Sequence, residues 1–163
     1  MKTLYLLRHG KAEAGSSGSD ADRQLSAKGE KQTRLASTWI ENGNHVPRKI
    51  ISSHASRAYT TAAILAQQLN IPLEEIDIQK AVYHGDALIL KELIEYTDDT
   101  IEVLLIVGHN PAISDLANFF FQPTIDGLPT AGLAMLTFEM NSWRSIDRKR
   151  VQSAVVYFPK MLK

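Results

Sequence analysis

A pattern that occurs three times along the chain most constrains the fold: a short apolar run, then a polar cluster, then a segment with helical periodicity. The runs are Leu4–Leu7, Lys49–Ser52 and Val103–Val107. Their length and richness in strand-forming residues are typical of strands buried on both faces. Because strands that alternate with helices build a mainly parallel sheet, the pattern predicts an α/β protein.

Apolar periodicity and capping residues predict four helices, and two late strands complete the sheet. One helix starts near Ser26, with Gly29 in its first turn as a weak point, and ends around Asn42–Asn44. The others are a helix carrying Ala58, Ala62, Leu65 and Leu69 that stops at Asn70–Pro72, a helix capped by Asp86, and a helix with Asn110 as N-cap and Pro111 as first residue. The late strands are predicted near Leu133–Phe138 and Ser153–Phe158.

Length and composition predict one globular domain over residues 1–163. Eighteen basic and eighteen acidic residues give a formal net charge of zero, which offers no general attraction to nucleic acids or anionic membranes. The absence of cysteine excludes disulfides, thiolate zinc sites, iron–sulfur clusters and thiol nucleophiles. Any chemistry must come from other side chains.

The N-terminal apolar run is too short for a secretion signal or a membrane span. Arg8 and His9 interrupt it early, and no stretch of the chain approaches 18 apolar residues. We therefore expect a cytoplasmic protein with no membrane partner.

The polar residues of greatest interest follow the three predicted strands. Arg8 and His9 follow the first, Ser53–Arg57 follows the second, and His109 follows the third. Since ligands of open α/β sheets bind beyond the carboxyl ends of the strands, these side chains are predicted to meet at one rim. A cluster of arginines and histidines there favours an anion, and phosphate fits guanidinium groups best.

An imidazole beside such a phosphate clamp can act as a nucleophile. His9 is the predicted nucleophile, with Gly10 allowing close approach of a ligand and an unusual backbone turn. Arg8, Arg57 and His109 are predicted to bind the phosphoryl oxygens and to stabilise the transition state without a metal ion.

The stretch Ala14–Asp22 is small, polar and rich in glycine, so it predicts a mobile loop. It does not match a phosphate-binding P-loop, because no Gly-Lys-Ser/Thr sequence leads into a helix and the glycines precede Asp20 and Asp22.

The segment Leu6–Gly10 resembles the signature of the histidine phosphatase superfamily, also called the phosphoglycerate mutase-like family. Ser52–Ala62 resembles its second arginine segment and Val107–Pro111 its third, in the same order. The similarity is closest to the short SixA-type phosphohistidine phosphatases, and it includes Asp22–Gly29. The resemblance implies a three-layer α/β/α fold without a lid domain and hydrolysis through a phosphoenzyme on His9, with no metal or cofactor.

The chain departs from the family pattern at several positions. His54 stands where many members have proline, Thr60 replaces a frequent glutamine, and Lys11 argues against a phosphoglycerate mutase. No general acid can be aligned among the candidate carboxyl groups, which are Glu13, Asp20, Asp22, Glu75 and Asp86. A phosphohistidine substrate has a labile nitrogen leaving group, so we hypothesise that a dedicated acid is unnecessary.

Three functions remain open at this point. The favoured one is a phosphohistidine phosphatase acting on a phosphorelay or phosphocarrier protein, and the second is a broad phosphomonoesterase acting on small molecules. The third is a phosphate-binding module without catalysis, against which the intact His9 counts. Nucleic acid is not an expected partner, because Asp147 interrupts the basic cluster of Arg144, Arg148, Lys149 and Arg150. The sequence does not fix the oligomeric state, and a monomer is the expectation.

Overall fold

The computed structural model describes residues 1–15 and 18–159, and it contains a six-stranded sheet between two layers of helices. The strands are β1 (Lys2–Arg8), β2 (Lys49–Ser52), β3 (Ile76–Ile78), β4 (Val103–Gly108), β5 (Leu133–Phe138) and β6 (Val151–Tyr157). The helices are α1 (Ala27–Glu41), α2 (Ser56–Gln68), α3 (Lys80–His84), α4 (Ala87–Glu95) and α5 (Ala112–Phe120). The predicted α/β class and three layers are confirmed.

The strand order is β3-β2-β4-β1-β5-β6. The first four strands in this order run parallel, whereas β5 is antiparallel to β1 and β6 is antiparallel to β5. The sheet is therefore mixed, with the parallel part carrying the three strand ends that the sequence analysis singled out. In the register of β1 and β4, Arg8 lies opposite Gly108, which places His9 and His109 side by side just beyond the sheet.

The central residues of β1 and β4, Leu4–Leu7 and Leu104–Val107, are all apolar or aromatic because helices cover both faces of the sheet. Leu6 and Ile106 pack in a core with α4 and α5, while Tyr5 and Leu7 pack in a second core with α1 and α2. Burial on both faces explains why these strands read as continuous apolar runs.

Most predicted element boundaries are confirmed, with a few corrections. Ser26 and Asp86 cap α1 and α4 by accepting hydrogen bonds from Gly29 N and Ile89 N. Asn110 was wrongly predicted as the cap of α5: Pro111 occupies that position, and the Asn110 side chain bonds to Leu128 O and Ser114 Oγ instead. The short β3 and α3 were not predicted, and β6 begins at Val151, before its predicted start.

Gly10 and Gly29 allow α1 to pack directly on the chain that leaves β1. A Cβ on Gly10 would lie 2.6 Å from Gly29 O, and a Cβ on Gly29 would lie 2.2 Å from Lys11 O. The backbone of Gly10 is not in the left-handed region. The prediction that Gly10 makes room for a ligand and for an unusual turn is therefore wrong, because the space is filled by α1.

We expect Gly29→Ala to destabilise the protein despite the higher helix propensity of alanine. The propensity gain is about 1 kcal/mol, whereas forcing a methyl group against fixed backbone costs about 3 kcal/mol. Denaturant unfolding should show a net loss of stability. Gly43→Ala is the matched control, because a Cβ there meets its nearest atoms at an ordinary 3.5 Å. A Gly29→Ala variant as stable as the unaltered protein would contradict this packing.

Candidate active site

His9 lies directly beyond β1 and is almost fully buried, with 7% of its surface exposed. Its Nδ1 lies 2.7 Å from the Gly10 carbonyl oxygen. Because a carbonyl oxygen can only accept, Nδ1 carries the ring proton. The Nε2 atom therefore carries no proton, and its lone pair accepts a hydrogen bond from the Arg57 Nε at 3.4 Å. A neutral imidazole with its bare nitrogen toward a guanidinium group is suited to attack an electrophile bound by that group.

Arg57 lies in the first turn of α2 and is buried to a similar degree. Its Nε donates to His9, while its two terminal nitrogens contact Asp20. Nη1 donates to the Asp20 backbone oxygen at 2.8 Å, and Nη2 donates to the carboxylate Oδ2 at 2.9 Å. These bonds fix the plane of the guanidinium group next to the His9 ring.

Arg8 and His109 complete the group of four predicted site residues, and both carry buried atoms without a hydrogen-bond partner in the described part of the chain. Arg8 Nη1 donates to Leu128 O at 3.2 Å, but its Nε has no partner. His109 Nε2 lies 2.8 Å from Ser53 Oγ, and its Nδ1 has no partner. Unpartnered buried polar atoms are costly, so an anion with several acceptor oxygens would stabilise this arrangement.

The four residues line one cleft of about 330 Å³. Its lining consists of Arg8, His9, Lys11, Ala12, Arg23, Arg57, His109, Asn110 and Thr130. Four of these side chains are cations, and none is a carboxylate. The structure thus brings together all four residues that the sequence placed at the rim, in surroundings that favour an anion.

Asp20 is the nearest carboxylate, and sequence reasoning missed its position. Residues Asp20–Asp22 form a 3-10 helix where a mobile loop was predicted, while Ser16 and Ser17 of that stretch lie outside the described residues. Besides Arg57, the Asp20 carboxylate accepts a bond from the Tyr83 hydroxyl at 2.7 Å and contacts Arg23 at 3.3 Å.

These contacts set the charge of Asp20. The Tyr83 hydroxyl and, after it, the Arg57 guanidinium hold the pKa of the Asp20 carboxyl well below its usual range. Asp20 is therefore ionised at neutral pH and is not poised to donate a proton in this arrangement.

The other carboxyl groups considered as general acids lie outside the cleft lining. Asp86 caps α4, Asp22 accepts a bond from Ser19 Oγ, and Glu13 and Glu75 are exposed. No aligned acid could be found in the sequence, and no carboxyl group lines the cleft among the described residues.

Burial holds both site histidines in the neutral form. Desolvation, followed by the positive charges of Arg57, Arg8 and Arg23, lowers the pKa of His9 to about 4, against the opposing effect of the Gly10 carbonyl. Desolvation, followed by His9 and Arg57, lowers the pKa of His109 to about 3. Neutral rings are the nucleophilic form, since a protonated imidazole has no lone pair in its plane.

We expect the stability of the protein to fall as the pH is lowered from about 6.5 toward 4. In the unfolded chain both histidines take up protons near pH 6.5, whereas in the folded chain they do so only near 4 and 3. The unfolded state then binds more protons in this window, so the free energy of unfolding rises with pH. Nitrogen NMR at pH 5.5 should show His9 protonated at Nδ1 and bare at Nε2. Two protonated nitrogens on His9 at that pH would contradict the site geometry.

Comparison with known proteins identifies relatives by sequence and by fold. The model of the histidine phosphatase superfamily (branch 1) matches residues 4–86, just over half of the chain. A protein of unknown function from Mycobacterium leprae is 24% identical over 150 residues, which cover 86% of this chain and 89% of that protein.

Two solved structures show the same fold along almost the whole chain. A SixA protein histidine phosphatase in complex with tungstate superposes with a TM-score of 0.79 at 21% identity, covering 99% of both chains. A candidate SixA phosphohistidine phosphatase from Agrobacterium tumefaciens superposes with a TM-score of 0.78 at 25% identity, covering 94% of this chain and 97% of that one.

A more distant match is the mycobacterial glucosyl-3-phosphoglycerate phosphatase, with a TM-score of 0.64 at 16% identity over 97% of this chain and 98% of that one.

No described helix is long and apolar enough to cross a membrane. The family match includes β1 with the His9 that follows it, and the fold matches extend the likeness to the remaining strands. The chain is a SixA-like member of the histidine phosphatase superfamily.

Proposed function

We propose that this protein is a metal-independent phosphatase that hydrolyses phosphohistidine on a phosphorelay or phosphocarrier protein. The observation that carries the proposal is the neutral His9 ring, whose bare Nε2 faces Arg57 at the floor of a cationic cleft. A phosphate-binding module would need the cations but not a nucleophilic nitrogen. The fold shared with a tungstate-binding SixA phosphatase supports the same reading, since tungstate is a tetrahedral oxyanion like phosphate.

In the proposed first step, the lone pair of His9 Nε2 attacks the phosphorus of the substrate. A bond forms between Nε2 and phosphorus, and the phosphorus–nitrogen bond of the substrate breaks with its electron pair going to the leaving imidazole. The Arg57 Nε–H, which points at Nε2 before the reaction, turns to a phosphoryl oxygen. Arg8 Nε and His109 Nδ1, which have no hydrogen-bond partner among the described residues, are the further donors that we propose for these oxygens.

In the second step, water attacks the phosphorus of phospho-His9 and the phosphorus–nitrogen bond to the enzyme breaks. Inorganic phosphate leaves, and His9 returns to its neutral form. The leaving imidazole can take up a proton from solvent at the ring nitrogen that is not bonded to phosphorus. The first step therefore needs no carboxylic acid in the cleft. This agrees with a lining that holds no carboxylate among the described residues.

The entrance to the cleft suits a phosphorylated side chain on another protein. Lys11 of the lining and Asp20, which lies outside the lining and contacts Arg57, are both exposed, so a partner surface can approach closely. We propose a cytoplasmic location, because phosphorelay and phosphocarrier partners would be met there.

A second candidate function is hydrolysis of small phosphomonoesters by the same four residues. The fold shared with a phosphatase of glucosyl-3-phosphoglycerate favours it. Phosphate release should therefore be measured in excess chelator on a histidine-phosphorylated carrier protein and on sugar phosphates at equal concentration. We expect release from the carrier to be faster by at least about tenfold in kcat/KM, a difference of about 1.4 kcal/mol in transition-state binding. Preference for the sugar phosphates would favour the second function, and loss of activity with chelator would contradict both.

A further inference from the structure

A row of rings leads outward from the proposed nucleophile. The His9 and His109 ring centroids lie 5.0 Å apart, and His109 is 5.3 Å from Tyr83 in an edge-to-face contact at 89°. Tyr83 in turn contacts His54 at 5.1 Å and the exposed His84 at 4.9 Å. His54, Tyr83 and His84, here called the outer rings, thus extend the site from the buried His9 to the protein surface.

Tyr83 is held in a fixed position relative to the phosphate-binding groups. Its hydroxyl donates to Asp20 Oδ2 at 2.7 Å, and the same oxygen accepts a bond from Arg57 Nη2 at 2.9 Å. One carboxylate therefore ties the tyrosine ring to the guanidinium group that faces His9. A ring fixed in this way loses little entropy when a ligand packs against it.

The remaining rim of the cleft offers different chemistry. Lys11 and Arg23 present positive charges, Ala12 presents a methyl group, and Asn110 and Thr130 present polar groups. The outer rings are not part of this lining, but they adjoin it through His109, which lines the cleft and contacts Tyr83 edge to face. A flat leaving group therefore gains more packing energy from the outer rings than from the rest of the rim.

We infer that the outer rings receive the leaving group and select a flat nitrogen heterocycle, with Tyr83 as the main specificity-determining residue. The inference rests on the proposed function, in which the leaving group is the imidazole of phosphohistidine. The aromatic contact acts on the transfer of the phosphoryl group to His9. It does not act on the hydrolysis of phospho-His9, because the leaving group has departed by then.

The test compares two substrates that share a phosphorus–nitrogen bond. Phosphohistidine carries the ring, whereas phosphoramidate releases ammonia and has none. We expect Tyr83→Leu to lower kcat/KM for phosphohistidine by about three- to tenfold relative to kcat/KM for phosphoramidate. This factor corresponds to the usual interaction free energy of an aromatic pair. The rate of phospho-His9 hydrolysis should change no more in Tyr83→Leu than in Tyr83→Phe, because both variants lose the bond to Asp20.

Two further variants separate the ring from other effects of the substitution. Tyr83→Phe loses the bond to Asp20 but keeps the ring, so the substrate ratio should fall clearly less than in Tyr83→Leu. Tyr96→Leu removes a tyrosine that is 80% exposed at the C-terminal end of α4, and it should leave the substrate ratio unchanged. His84→Ala, at an exposed position, should lower the same ratio if Tyr83→Leu fails to fold.

The outcomes distinguish this inference from the proposed function. An unaltered protein that does not cleave phosphohistidine overturns the proposed function and the inference with it. If the unaltered protein cleaves it but Tyr83→Leu and His84→Ala leave the substrate ratio unchanged, the inference alone is wrong. An equal fall of the ratio in Tyr83→Phe also overturns it, because the effect would then belong to the hydroxyl group and Asp20.

Discussion

We expect the His9→Ala variant to lose phosphohistidine hydrolysis by on the order of 10⁴-fold or more, as is typical when a covalent nucleophile is removed. The variant has no atom that can accept the phosphoryl group. The cations of the cleft remain, so binding of an oxyanion such as tungstate should persist within about tenfold. Phosphate release and tungstate affinity, measured on the same preparation, check both parts.

Substitution of His45 is the matched control for His9→Ala. His45 is exposed and lies outside the cleft lining, so His45→Ala should keep full activity. His9 is buried and donates to Gly10 O, and the loss of this bond costs about 1–3 kcal/mol of stability, which a folded domain tolerates. A His9→Ala variant that binds tungstate and retains more than a tenth of the activity would exclude His9 as the nucleophile.

The second large effect is expected for Arg57→Lys, which keeps the charge but removes the fork of donors. Lysine cannot donate at the same time toward His9 and to both the backbone and carboxylate oxygens of Asp20. Since loss of one preorganised donor costs about 10²–10³ in rate, kcat/KM should fall by at least that factor.

The control for Arg57→Lys is Arg34→Lys. Arg34 is exposed on α1, so this substitution should leave the activity unchanged. We expect kcat to fall along with kcat/KM in Arg57→Lys, because the Arg57 Nε–H is proposed to turn from His9 to a phosphoryl oxygen during phosphoryl transfer. Equal activity of Arg57→Lys and the unaltered protein would show that the charge alone matters and would contradict the geometry at His9.

The central part of the fold could be predicted from sequence because burial leaves a clear pattern there. Strands β1 and β4 are covered on both faces, so every residue of their cores is apolar. Strand β3 has three residues and lies at the edge of the sheet, with Asp77 between Ile76 and Ile78. So short a strand carries no periodic signal.

The candidate site likewise has a part that the sequence predicts and a part that it does not predict. Arg8, His9 and His109 follow neighbouring parallel strands, so sheet topology alone predicts that they meet. Asp20 reaches Arg57 and Tyr83 across 37 and 63 residues of sequence, from a segment whose composition predicts only a loop. Such contacts depend on tertiary packing. For that reason the sequence could predict neither the carboxylate beside Arg57 nor the outer rings.

Isolation of the phosphorylated protein tests the central claim most directly. Phosphohistidine substrate labelled on phosphorus would be mixed with the protein, and the reaction stopped with alkali within milliseconds. We predict label on the peptide that contains His9, stable to alkali and labile to acid, up to one phosphoryl group per chain. The label should disappear as phosphate on further incubation. Phosphate release without labelled protein, or label on a different residue, would contradict covalent catalysis by His9.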